Sequence, residues 1–221
     1  MAEVCPSVLH FCTTRLTKLD PVTGAVVSEA DNSYVSDGAI SLAFTKEIEA
    51  GTESVLKNGC GDIRASSKTP DRMKRWNLTL TMSEFEPGLW SLLTGDDTVS
   101  DGADVVGIDG QDQFADDFVE TLVALEGWAF ANEGDAPDPV RPYFYVLLPA
   151  TTWNPPDFTL QEEFTTWPFD GFNRTNSSWF TGPYDDTGLV GNVSTYRFAQ
   201  VAAANVPPTA ACGFATVAAG T

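Results

Sequence analysis

The feature of this sequence that most restricts its fold is a strict alternation of apolar and polar residues from Trp76 to Ser83. Successive side chains of a β-strand point to opposite faces, so the segment is predicted to be a strand with one buried and one solvated face. The stretch from Ile40 to Glu49 repeats the pattern, with apolar positions at Ile40, Leu42, Phe44 and Ile48. Both segments favour a β architecture.

A hairpin is predicted near the start of the chain. Val8 to Leu19 has the composition of a strand, and the turn residues Asp20 to Gly24 are expected to fold the chain back into Ala25 to Ser28. Tyr143 to Leu148 is a nearly continuous apolar run before Pro149, which is typical of a strand buried on both faces. Two further strands are predicted at Thr195 to Val201 and Phe214 to Ala218.

One short helix is predicted between Glu86 and Gly95. Pro87 suits the first helical position, Glu86 the N-cap and Gly95 the end, with an apolar face formed by Leu89, Trp90, Leu92 and Leu93. The segment Val119 to Trp128 fits both a helix and a strand, and its β-branched residues favour the strand. Many strands with one helix predict a mainly β sandwich or barrel.

Charge is distributed unevenly along the chain. Twelve Lys and Arg residues against 31 Asp and Glu residues give a net charge of −19, which argues against a stable grip on nucleic acid. Residues 96 to 138 form an acidic zone with thirteen acids and no Lys or Arg. This acidic zone and a basic zone elsewhere in the chain are expected to attract one another between neighbouring copies. The opposing zone is a Gly- and Ser-rich basic loop that contains Lys57, Arg64, Lys68, Arg72, Lys74 and Arg75.

The sequence offers little support for catalysis or for a cofactor. His10 is the single histidine, and its spacing from Cys5 and Cys12 is poor for zinc even if Cys60 or Cys212 completed the ligands. No pair of carboxylates is singled out among the 31, and no phosphate-binding glycine motif is present. We therefore predict no enzyme activity, no metal and no cofactor. The remaining acidic cluster lacks the order of a calcium-binding loop and is interpreted as a solvated acidic loop: Asp97, Asp101, Asp104, Asp109 and Asp112.

The chain has no predicted signal peptide and no apolar stretch of transmembrane length, so no membrane partner is expected and the four cysteines are predicted to be free thiols. Residues 151 to 187 are rich in aromatic side chains and have little periodicity, which predicts a long loop-dominated region. Its aromatic residues suit either a satellite core under the loop or an interface with another protein.

The order of several segments resembles that of the major tail, or tail tube, proteins of long-tailed bacteriophages, particularly those that infect actinobacteria. The resemblance covers most of residues 15 to 190, and no single motif in it is diagnostic. The segments that carry it are Arg15 to Asp20 with Gly24, Ile40 to Thr45, Glu47 to Gly51, Lys57 to Gly61, the Trp76 to Met82 strand, Glu86 to Gly95, Arg141 to Ala150 and Trp179 to Asp185.

The resemblance implies a single tail-tube-like domain over residues 1 to 221, a β-sandwich or barrel protomer with one flanking helix. Six copies would close into a ring, and rings would stack head to tail into a virion tail tube through which DNA passes as transient cargo. Tape measure and terminator proteins are the implied further partners. The basic loop, residues 52 to 75, matches the position of the family's inter-ring loop, so its six basic residues are predicted inter-ring contacts.

Three alternatives remain open. The aromatic segment departs from a minimal tube protein, which leaves a terminal-ring or neck-ring protein of the same fold as one alternative. A monomeric β-sandwich that binds carbohydrate or acts in adhesion would also be acidic and rich in Trp. A hydrolase is a third class, and it would lose turnover on substitution of one acid.

Overall fold

The computed structural model describes residues 7–27, 29, 31–112, 120–133, 136–160, 162, 164–180, 182, 184, 189, 191–207 and 213–215. The chain is mainly β, with a single α-helix among these residues. Its elements, in order, are β1 Ser7–Leu19, β2 Ser33–Ser36, β3 Ala39–Glu49, β4 Glu53–Lys57, β5 Ile63–Lys68, β6 Arg72–Met82, α1 Pro87–Thr94, β7 Asp97–Asp101, β8 Asp104–Asp109, β9 Leu122–Glu133, β10 Ala136–Pro137, β11 Tyr143–Trp153, β12 Trp167–Asn173, β13 Arg197–Val201, a 3-10 helix Ala203–Asn205, and β14 Gly213–Ala215.

One antiparallel sheet forms the body of the protein. Its strands follow the order β14-β2-β1-β9-β11-β12-β6-β3, with β10 paired to β9 and β13 paired to β11. Two hairpins stand outside this sheet, each as a separate two-stranded sheet: β4 with β5, and β7 with β8. β3, the last strand of the main sheet, lies beside β1, so the sheet curves back on itself without closing its hydrogen bonds.

The central strands are buried on both faces. Leu125 and Leu148 pack into the larger core cluster with Phe169 and the helix α1. On the other face of the same strands, Trp128 and Leu147 pack into a second cluster. Apolar side chains on both faces account for the near-continuous apolar run at Tyr143–Leu148, as predicted from the sequence.

The two alternating segments are strands, with one correction. In β6, Leu78, Leu80 and Met82 are buried as predicted. In β3, however, Ile40 and Ile48 are 51% and 50% exposed. The ladder between β3 and β6 has irregularities at both places, and a β-bulge changes which face a side chain occupies.

The helix lies where the sequence predicts it. It begins at Pro87 and ends at Gly95, whose φ of 81° is the left-handed conformation that favours glycine. Glu86 occupies the N-cap position but does not cap the helix with its side chain. Its carboxylate instead accepts a 2.6 Å hydrogen bond from the Ser36 hydroxyl, which ties the start of the helix to β2.

The first predicted hairpin is only partly formed. The chain turns at residues 20 to 24 as expected, with the amide of Gly24 donating to the carbonyl of Asp20. The returning segment makes a single bridge from Val26 to Leu19, and the regular partner of β1 is β2. The strand interpretation of Val119 to Trp128 is confirmed by β9 from Leu122 onward; Val119 lies outside the described residues, as do Ser28 and residues 216 to 218.

Pro149 does not end its strand, contrary to the prediction. β11 continues through it to Trp153, because the ladder with β9 is irregular between Leu148 and Thr151. On the other side of β11, β13 pairs as far as Leu147 and β12 pairs from Thr151. Proline has no N–H to donate, and Pro149 lies between the paired segments of β11 on both of its edges, where no ladder hydrogen bond is needed.

Most of the described residues between 151 and 187 lie in loops, as predicted, but the segment also contains the end of β11 and the whole of β12. β12 is a central strand between β11 and β6. Gly171 interrupts the apolar pattern of this strand in the sequence. Glycine is required there because a Cβ would lie 2.4 Å from the Thr152 carbonyl oxygen. Trp153 and Trp179 belong to the two cores, whereas Phe164 is almost fully exposed. The core alternative is therefore right for these two tryptophans.

Candidate assembly surfaces

The predicted basic loop is a β-hairpin rather than an irregular loop. Residues 50–71, called the arm below, continue the β3–β6 ladder outward as β4, a turn and β5. At a rise of 3.3 Å per residue the arm extends about 25 Å. All its residues are exposed except Gly51 and Asn58, which are half-buried. These strands are not recognisable in the sequence because Gly, Ser and charged residues hide the alternation.

The base and the tip of the arm are both held by specific contacts. At the base, Gly51 crosses so close to the opposite strand that a Cβ would lie 1.7 Å from the Thr69 carbonyl oxygen, and its amide donates to Asp71 Oδ1 at 2.9 Å. At the tip, Asn58 Oδ1 accepts from the amides of Cys60 and Asp62 at 3.0 and 2.8 Å. Such side-chain contacts define a turn geometry.

The six predicted inter-ring residues divide into two groups. Lys74 and Arg75 lie in β6 and contact Glu47 at 2.7 and 2.5 Å. The hydrogen bonds from Lys74 and then Arg75 lower the pKa of Glu47. Lys68 lies 3.4 Å from Asp71. Among the described residues, no ion pair is formed by the others: Lys57, Arg64 and Arg72.

The arm also exposes apolar side chains. Leu56 and Ile63, near its tip, are 64% and 63% exposed, and Val55 is also exposed. At its base, the paired residues Ile48 and Met73 are both exposed. A two-stranded sheet with no covered face is marginally stable in water by itself. The arm therefore has the composition of a surface that packs against a partner.

The predicted acidic loop is also a hairpin. β7 and β8, residues 97–109, are called the acidic hairpin below. Two pairs of aspartates stand directly opposite one another, Asp97 with Asp109 and Asp101 with Asp104. Like charges at opposed positions destabilise a ladder. All four are exposed, and no lysine or arginine in the described part of the chain pairs with them.

The acidic hairpin rests on the body by one face only. Ile108, on the same face as its cross-strand partner Thr98, packs against the main core. Three valines nearby remain exposed by 43 to 55%: Val99, Val105 and Val106. The hairpin thus combines unpaired carboxylates with exposed apolar side chains.

A third surface is the cleft between β1 and β3, called the seam below. It encloses about 400 Å³ and is lined by Val8, Phe11, Ile40 and Phe44 among others. Val8 and Ile40 are about half exposed. Next to the seam, five aromatic rings contact one another in a chain: Phe144, Phe198, Phe44, Trp76 and Tyr196.

A buried ion pair lies in the body and was not anticipated. Arg15 donates to both carboxylate oxygens of Glu126, at 2.8 and 3.0 Å, and Tyr145 donates to the same carboxylate at 2.6 Å. The guanidinium lies 3.2 Å from the centre of the Tyr184 ring, and burial raises the pKa of Tyr184. The sequence signal was a lone acid within an apolar run from Leu122 to Phe130.

Three of the residues considered for metal binding, His10, Cys12 and Cys60, are described, and they form no metal-binding group. His10 is exposed at the seam, Cys12 is half-buried, and burial raises the pKa of its thiol. Cys60 is exposed at the arm tip, and Cys5 and Cys212 lie outside the described residues. The residues that the structure describes contain no group of three His, Cys, Asp or Glu side chains arranged to hold a metal ion.

Comparison with known proteins gives no assignment: no protein-family model matches the chain, and no curated protein matches its sequence. In the described part of the chain, no helix has both the length and the apolar character needed to cross a membrane.

Proposed function

We propose that this chain is a structural protein of a bacteriophage virion, the subunit of a tail tube in which hexameric rings stack head to tail. The observation that carries the proposal is the arm, a hairpin exposed on both faces that pairs with no other strand among the residues that the structure describes. Together with the sequence resemblance, it supports a protein whose function is to bind copies of itself.

The exposed apolar residues of the arm favour a protein partner. Exposure of Leu56 and Ile63 to water is unfavourable, and their burial in a neighbouring copy would stabilise the contact by the hydrophobic effect. Ordering of the tip by Asn58 lowers the entropy lost when the arm docks. These features suit a prebuilt connector between subunits.

The position of the arm supports head-to-tail stacking. β6 begins at the arm with Arg72 and ends at Met82, just before α1 and the acidic hairpin. The eleven residues of β6 give this strand a length of about 35 Å. An arm at one end that docks on a different surface near the other end makes a heterologous contact, which repeats without limit and builds a tube.

The seam supports lateral contacts within a ring. Val8 and Ile40 expose apolar surface there, and Phe198 beside it is 42% exposed. In the described residues, the first half of β1 pairs only with β9, which leaves a strand edge facing β3. Exposed apolar surface beside a free edge is a site for association between chains. The number of six subunits is taken from the resemblance.

The charge balance supports a conduit for DNA. Residues 57 to 75 hold six of the twelve basic residues and two acids, which leaves six basic and 29 acidic residues in the rest of the chain, a net charge of −23. An acidic lumen repels phosphate, so DNA would pass without being held. Tape measure and terminator proteins would be its other partners in the tail, and no catalysis or bound metal is expected.

Negative-stain microscopy of the purified full chain tests the proposal. Rings or tubes of stacked rings are expected, with the critical concentration rising with salt. A terminal or neck ring would give single rings that do not stack. Monodisperse small particles that bind glycans would contradict the proposal and favour the carbohydrate-binding alternative. Turnover abolished by one acidic substitution, or zinc in stoichiometric amount, would contradict the expectation of a purely structural protein.

A further inference from the structure

We infer that the acidic hairpin is the docking surface for the arm of a second copy of this chain. The inference rests on the proposed self-assembly and names the two surfaces that meet. From the sequence, the acidic zone that contains this hairpin is expected only to attract the basic zone of a neighbouring copy, with no contact site assigned. Its geometry supplies the reason for assigning one.

The first argument is electrostatic. The cations near the base of the arm each have an acid of their own chain beside them. Lys74 and Arg75 contact Glu47. Lys68 and Arg72 stand opposite Glu53 and Glu49 in the strand ladders. Near the tip, Lys57 and Arg64 form no ion pair among the described residues. The available positive charge is therefore concentrated at the outer end of the arm.

The acidic hairpin carries negative charge that complements the positive charge of the arm tip. Asp101 stands opposite Asp104 beside the turn, and Asp97 stands opposite Asp109 at the other end of the ladder. The repulsion within each pair is relieved when a cation approaches both carboxylates. Two unpaired cations at the end of a hairpin about 25 Å long are suited to reach such pairs on a neighbour.

The second argument is apolar. The arm tip exposes Val55, Leu56 and Ile63, and the acidic hairpin exposes Val99, Val105 and Val106. Each surface thus places apolar side chains beside its charges. Charged surfaces alone would attract many partners, whereas burial of the apolar residues between matched charges favours one alignment. A second copy supplies both features at once.

Charge reversal with rescue tests the pairing. Lys57→Glu with Arg64→Glu, or Asp101→Lys with Asp104→Lys, places like charges across the contact, so each pair of substitutions should raise the critical concentration for tubes at least about tenfold. The four substitutions together should restore assembly. The matched control reverses two exposed acids elsewhere, Asp157→Lys with Glu162→Lys, and should leave assembly at the wild-type level.

A cross-linking measurement keeps the inference testable if a reversal variant does not fold. Cys60 is exposed at the arm tip and Ser100 is exposed on the acidic hairpin. A chain with Ser100→Cys, in which Cys60 is the only native cysteine retained, should give a ladder of covalent oligomers with a short bismaleimide. The same chain without Ser100→Cys should give dimers at most, because a ladder needs two different sites per copy.

The outcomes separate the inference from the proposed function. Tubes in the wild type without a ladder, or arm reversal that the acidic-hairpin reversal does not rescue, would overturn the docking assignment and leave the tube proposal standing. Absence of rings and tubes in the wild type would overturn both. A ladder with mutual rescue supports the assignment of the acidic hairpin.

Discussion

The body sheet and the arm are both antiparallel β-structure, yet they use charge in opposite ways. In the body, Arg15 and Glu126 are 5% and 3% exposed and their hydrogen bonds are matched within the chain. In the arm, Lys57 and Arg64 are exposed and unpaired among the described residues. The body thus pairs its buried charges within the chain, and the unpaired charges of the arm support the proposal that a second copy binds there.

The largest effect is expected from breaking the buried ion pair. Arg15→Ala leaves Glu126 as a buried charge without its partner, and such changes lower the free energy of unfolding by about 3–5 kcal/mol. Chemical denaturation of the protomer measures it. The double variant Arg15→Met with Glu126→Leu should recover most of the loss, because two apolar side chains leave no buried charge. A double variant as unstable as Arg15→Ala would contradict this.

A loss of similar size is expected from Trp90→Ala, about 3–5 kcal/mol. Trp90 is 6% exposed, packs against Phe169 and donates from Nε1 to Asp96 at 2.8 Å. Phe158→Ala is the matched control, since Phe158 contacts the same tryptophan ring but is 48% exposed. A melting temperature that falls equally in both variants would argue against Trp90 as a core residue.

A smaller effect is expected at Glu86. Burial raises the pKa of its carboxyl above the ordinary 4.5, against the opposing hydrogen bonds from Ser36 and Tyr34. The folded state therefore binds the Glu86 proton more tightly than the unfolded state does. The stability that this proton contributes is lost as pH rises through the folded-state pKa of Glu86. Glu86→Gln should be more stable than the wild type at pH 7, with the advantage shrinking below pH 4.5. An advantage independent of pH would contradict the assignment.

The smallest effect on folding is expected at the base of the arm. Lys74 and Arg75 lower the pKa of Glu47. The stability that these contacts contribute is therefore present above the ordinary pKa of 4.5 and is lost as pH falls through the folded-state pKa of Glu47. Lys74→Ala with Arg75→Ala should lower the melting temperature slightly at pH 7 and by less as the pH falls through the folded-state pKa of Glu47. Lys57→Ala with Arg64→Ala should leave melting unchanged over the same pH range. A larger loss from the tip variant would reverse the comparison.

The sequence predicts the body better than the surfaces. Trp76 to Ser83 and the helix at Pro87 are readable because burial on one side imposes a period. The arm has no buried face and the acidic hairpin covers little more than Ile108, so no apolar period marks their strands. Pro149 within β11 and Gly171 within β12 occupy positions that depend on the neighbouring strands, and the local sequence does not show this. The partner of Glu126 is 111 residues away and equally invisible locally.

The central claim is that the arm assembles the protein and the body folds without it. Residues 51–70 can be replaced by Asn-Gly, a two-residue turn that closes a β-hairpin, to join β3 directly to β6. Negative-stain microscopy and thermal melting of this variant beside the wild type form the most direct test. The account predicts wild-type melting with no tubes, whereas tubes of normal length from the armless chain would contradict it.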